Sequence, residues 1–117
     1  MQCENLEVWK RSCRLSVEIY KSFSNSKDYG FKDQITRSSL SIASNIAEGL
    51  EKDSHKEKVR FIEISRGSTA ELTTQIYIGI EIGYIEKSTG LKWAKEASEI
   101  SKMLHGLKKS YISKGIQ

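Results

Sequence analysis

Two stretches decide how this chain folds: Ser38-Ser39-Leu40-Ser41-Ile42-Ala43-Ser44-Asn45-Ile46-Ala47-Glu48-Gly49, and Arg66-Gly67-Ser68-Thr69-Ala70-Glu71-Leu72-Thr73-Thr74-Gln75. Both read as helix, and both place small residues where a core normally carries large ones. Small side chains let a neighbouring backbone approach closely and leave hydroxyls at the contact, so the geometry of the pairing is tightly specified. Gly49, Gly67 and Ser68 are the expected close-packing positions. Gly67 lies mid-helix, where glycine costs about 1 kcal/mol relative to alanine.

The first stretch belongs to a segment from about Lys32 to Ala47 or Glu48, with Gly49 placed as a C-terminal cap and Glu51-Lys52-Asp53 as the connection. The second belongs to a longer segment, Ser54 to about Ile85. It opens on the capping box Ser54-His55-Lys56-Glu57 and lines one face with Val59, Ile62, Leu72, Ile76, Ile80 and Tyr84. Gly79 and Gly83, four apart, are expected at a close helix contact.

Upstream, Asn5 to Ser24 carries two apolar stripes. One is Leu6, Trp9, Cys13, Val17 and Tyr20; the other is Val8, Leu15, Ile19 and Phe23. One stripe suffices for a bundle core, so the second is expected to be covered by another copy of the chain. Downstream, Thr89 to Ser113 repeats apolar residues at three and four, from Leu91 to Tyr111. The turns fall near Ser26 to Gly30, Gly49 to Asp53 and Glu86 to Gly90. The expected fold is all-α: one domain over residues 1–117, an antiparallel up-down-up-down four-helix bundle.

Composition agrees. The chain has 117 residues and no proline, which favours long helices joined by short links. Charged residues make up 29% and hydrophobic residues 38%, a globular mix. The uncharged run Leu72 to Ile80 is too short to cross a bilayer, so no membrane is expected. Cys3 and Cys13 on one helix would lie about 15 Å apart, too far for a disulfide. Reduced thiols and the absence of a leader pattern at the N-terminus point to the cytoplasm.

Signals for chemistry are sparse. His55 and His105 have no partner at metal-ligand spacing. Glu48, Glu63 and Glu71 lack the Glu-x-x-His pairing of di-iron bundles. The serines around Ser38 have no nearby base, and no phosphate loop is present. No enzyme, metal or cofactor is expected. Arg37, Asn45, Glu48, Arg66 and Glu71 sit among apolar residues. They read either as a hydrogen-bonded layer that sets helix register or as a binding crevice between the second and third helices.

The net charge of +4 equals the four lysines of the tail, Lys102, Lys108, Lys109 and Lys114, which has no acid after Ile100. Lys10, Arg11 and Arg14 lie three and four apart on the first helix. With Lys102, Lys108 and Lys109 they form the candidate nucleic-acid surface, acting on phosphates rather than base edges. Only Tyr111, beside Lys108 and Lys109, is placed to stack a base.

Ser44-Asn45-Ile46-Ala47-Glu48-Gly49, together with Phe61-Ile62-Glu63-Ile64-Ser65-Arg66-Gly67-Ser68, Glu71-Leu72, Thr74-Gln75 and Gly83-Tyr84-Ile85, resembles the proteins encoded in intervening sequences of bacterial 23S ribosomal RNA genes. That group is also called the S23 ribosomal protein family. Leu6-Glu7-Val8-Trp9, Leu15 and Tyr20 at the start and Ser101-Lys102-Met103-Leu104 with Leu107 near the end extend the likeness over nearly the whole chain. The chain departs from it at Ala43, where members often carry proline. The resemblance implies an antiparallel bundle that assembles as a homopentamer. It is similar as well to the accessory variability protein of diversity-generating retroelements, a basic ring that binds reverse transcriptase and nucleic acid. Two main functions follow as expectations. One is an oligomer that binds structured ribosomal RNA through a basic surface. The other is a structural or protein-interaction scaffold whose charges are paired with acids.

Overall fold

Asp28 and Ser54 start helices because their side-chain oxygens accept free backbone N–H groups: Phe31 N at 3.1 Å and Glu57 N at 3.0 Å. The computed structural model describes residues 1–116, with helices α1 (Glu7–Ser22), α2 (Tyr29–Leu50), α3 (His55–Glu81) and α4 (Lys87–Ile116). There is no strand among the described residues. The Asp28 cap moves the start of α2 three residues ahead of Lys32. Glu57 does not return to the cap as a full box would; its carboxylate takes Arg60 Nε at 3.0 Å.

Three glycine expectations need correction. Gly49 is not a cap. It lies inside α2, buried, and a Cβ there would fall 2.6 Å from Phe61 Cβ. It is glycine because α3 comes this close. Gly67 is not a close-packing position: it is exposed, and a Cβ would meet nothing within 4 Å. Gly83 is not on a helix contact either. It follows the end of α3 at φ +82°, and the N–H groups of Tyr84 and Ile85 fold back onto the Gly79 carbonyl at 2.9 and 3.1 Å. Gly79 is a genuine close approach, with Ile85 and Phe31 against it.

The chain reverses at every link. Along α2, Ser38, Ser41 and Gly49 meet Gln75, Ser68 and Phe61 of α3, so the two helices run in opposite directions. Along α3, His55, Glu63 and Ile80 meet Tyr111, Lys108 and Gly90 of α4. Ser16 of α1 and Phe23 just past its end meet Ser39 and Phe31 of α2, and Arg11 and Glu18 reach Glu96 and Trp93 of α4. These pairings make an up-down-up-down four-helix bundle about 50 Å long. Ala43 lies within an unbroken α2.

The core is rich in isoleucine. Ile19, Ile35, Ile42, Ile46, Ile62, Leu72, Ile76, Ile100 and Leu104 are fully buried. Of the two α1 stripes, Val8, Leu15, Ile19 and Phe23 enter this core. The other stripe does not: Leu6, Trp9 and Cys13 are half-buried, and Val17 and Tyr20 remain 52% and 44% exposed.

Candidate nucleic-acid interface

The six candidate cations do not form one patch. On α1, Arg11 grips Glu96 with two donors and reaches Glu99 at 3.1 Å, joining α1 to α4. These hydrogen bonds raise the Arg11 pKa further above its ordinary value and hold the Glu96 carboxyl below its own. Lys10 and Arg14 share Glu7, at 3.9 and 3.8 Å. Three cations therefore face three acids, and little field is left over for a phosphate. On α4, Lys108 turns inward to Glu63 at 3.3 Å, where Arg66 also binds at 2.9 Å. Lys102 and Lys109 are exposed and seven apart, on one face of α4, with no ion pair among the described residues.

The polar layer between α2 and α3 is built of hydroxyls and amides rather than charges. Asn45 Nδ2 donates to the Ser41 carbonyl and Oγ, both at 2.8 Å, and Ser41 Oγ lies 3.0 Å from Ser68 Oγ. Buried Ser65 donates to the Ile42 carbonyl at 2.8 Å, and Ser38 donates to Gln75. Arg37 is outside this layer. It is exposed and pairs with Asp33 on its own helix at 2.9 Å. Glu48 and Glu71 are also exposed. Glu71 lines an open groove of about 460 Å³ whose other walls, Arg37, Ser38 and Ser44 among them, belong to α2.

Around Tyr111, the one ring that the sequence places for stacking, gather residues that sequence reasoning missed: His55, Lys58 and Lys114. Tyr111 packs on His55, with ring centroids 5.7 Å apart. The ammonium groups of Lys58 and Lys114 lie 5.7 and 5.2 Å from the Tyr111 ring centre. Lys52 and Arg60 lie over Phe61 at 5.1 and 4.6 Å. His55 reads from sequence as a plain first-turn surface residue. The signal that could have found this cluster was Tyr111 beside the tail lysines. Among the described residues, no three His, Cys, Asp or Glu side chains gather as metal ligands, and no helix is long and apolar enough to cross a membrane.

The family model for 23S rRNA-intervening sequence proteins matches residues 4–106, most of the bundle. The chain belongs to the 23S rRNA-intervening sequence protein family. A solved structure from Bacteroides thetaiotaomicron, a protein of unknown function from the S23 ribosomal protein family, is similar at 26% identity. It covers 87% of this chain and 98% of its own, with a TM-score of 0.81. No curated protein matches the chain. Neither of these two descriptions names a catalytic activity.

One further surface of this family member stands out. Cys13, Val17 and Tyr20 of α1 and Leu40 and Ala43 of α2 line an open groove of about 470 Å³ that is almost wholly apolar. Val17 and Leu40 stand about half exposed on it.

Proposed function

We propose that this chain is a non-enzymatic cytoplasmic protein that self-associates, as a homopentamer, and binds structured ribosomal RNA through a basic surface. The observation that carries the RNA reading is the excess of unpaired lysine at one end of the bundle, in a family whose description ties it to 23S rRNA. The groove of Cys13, Val17, Tyr20, Leu40 and Ala43 supports self-association, because Val17, Tyr20 and Leu40 stand about half exposed side by side on it. A ring built from one repeated contact closes without a free sticky face and multiplies a weak RNA site by avidity.

A second reading is favoured by the α1 flank, where Lys10, Arg11 and Arg14 are all paired with acids. It makes the chain a scaffold for a protein partner, with no RNA. Sequencing of RNA that co-purifies with the protein separates the two. Enrichment of ribosomal fragments over the cell's bulk RNA is the expected result; a preparation free of RNA favours the scaffold. Sedimentation velocity at micromolar concentration tests assembly. A monomer overturns it, and a dimer or tetramer overturns only the number.

A further inference from the structure

The cations are unevenly spread. Residues 48–60 and 105–115 carry seven lysines and arginines against four acids, whereas the rest of the chain carries twelve against eleven. This basic pole is where α2 ends, α3 begins and α4 finishes. Among the described residues, Arg60 and Lys108 are its only cations held by acids. Lys58 Nζ donates to the Leu50 carbonyl at 2.9 Å, and it and Lys114 lean on the Tyr111 ring; these contacts orient the ammonium groups without an acid to neutralise them. Beside that ring runs an open groove of about 430 Å³ walled by His55, Lys56 and Val59 on one side and Tyr111, Ile112 and Gly115 on the other.

Oriented unneutralised ammonium groups beside an aromatic-walled groove suit a ligand that is both planar and anionic. We propose that this pole is the RNA site of the protein, and that it takes an unpaired nucleotide. The base stacks on the Tyr111–His55 pair, and the flanking phosphates lie against Lys56, Lys58, Lys109 and Lys114. Stacking of this kind is tolerant of sequence, because every base has a π-face. The phosphate contacts make binding dependent on salt. The α1 flank is less suited, because the Arg11 guanidinium already holds Glu96 and Glu99, and Lys10 and Arg14 lie 3.9 and 3.8 Å from Glu7. This inference rests on the proposed RNA-binding function and locates it.

The test is fluorescence anisotropy with a labelled single-stranded RNA and a fully paired, blunt-ended RNA duplex, each titrated across a salt series. Wild type should prefer the single strand. Lys56, Lys109 and Lys114 are exposed. Changing all three to glutamate should weaken binding at least about tenfold and flatten the salt slope by about 2. Tyr111→Leu keeps apolar packing but loses the ring; it should weaken the single strand by about five- to tenfold with the salt slope unchanged. Tyr111→Phe keeps the ring and should bind like wild type, which guards against a folding artefact. Lys10→Glu with Arg14→Glu should leave affinity within about twofold. If that α1 variant loses binding while the triple and Tyr111→Leu variants keep it, RNA binds elsewhere and only this site is overturned. If wild type binds neither RNA at low salt, the function itself fails. A pole that captures polyglutamate but no RNA marks a protein-binding surface, and that too overturns the proposal.

Discussion

The seam between α2 and α3 and the seam between α1 and α4 close the same bundle by different physics. The first is narrow and neutral. Gly49 admits Phe61, serines and Gln75 exchange hydrogen bonds across it, and Asn45 braces Ser41 from within α2. The second is spanned by long charged side chains, Arg11 to Glu96 and Glu99, and by Trp93 donating to Glu18 at 3.2 Å. A close neutral seam is sensitive to volume; a seam spanned by charges is sensitive to pH and salt. Each can therefore be broken without touching the other.

The largest effect is expected at Gly49. Gly49→Leu drives a side chain into Phe61 and should lower stability by about 3 kcal/mol, the upper end of ordinary overpacking. Thermal unfolding checks this, and a melting temperature equal to wild type shows that α3 can step aside. Next comes Arg11→Leu, which leaves Glu96 and Glu99 half-buried beside each other without their cation. A loss of about 2 kcal/mol is expected at neutral pH.

The same variant sharpens the comparison through pH. Arg11 holds the Glu96 carboxyl below its ordinary value of 4.5. A carboxyl depressed by folding adds stability that is fully present above the unfolded value and is lost as pH falls through the folded one. The gap between wild type and Arg11→Leu should therefore narrow once pH drops below about 4.5. Urea midpoints at neutral and acid pH measure it; a gap constant with pH removes the charge from the account. Gly49→Leu, by contrast, should keep its deficit at both pH values. The smallest effect is at Gly67. Gly67→Ala meets no neighbour and gains helix propensity, so it should raise stability by up to about 1 kcal/mol. A loss there, read on the assembled protein, places Gly67 against another copy.

Helices, direction and core were legible because periodicity reports which face of a segment is apolar, and four periodic segments with short links leave few topologies. The stripe Val8, Leu15, Ile19 and Phe23 is buried as its spacing requires. What periodicity does not report is the rotational phase between two helices. Gly49 and Gly67 look alike in the sequence, yet one meets Phe61 and the other meets nothing. The acids beside the α1 cations were hidden for a related reason. The cations' own spacing does bring Lys10 and Arg14 together, but the acids that quench Arg11 arrive from α4, 85 and 88 positions along the chain. Local spacing carries no trace of them. The polar layer was visible as a composition, while its members had to be seen: Ser65 and Gln75 joined it, and Arg37, Glu48 and Glu71 stayed outside.

The thinness of the α1–α4 seam bears on how the molecule opens. α1 is the shortest helix, at 16 residues, and its N-terminus has no side-chain cap. The close contacts with glycine and the inter-helix serine–glutamine and serine–carbonyl bonds lie among the other three helices and their links. α2, α3 and α4 thus form a consecutive unit of short-range contacts that is expected to assemble early, with α1 docking onto it from its short link to α2. Amide protons of α1 should exchange with solvent in openings well below the global unfolding free energy, while those of α2 and α3 wait for complete unfolding.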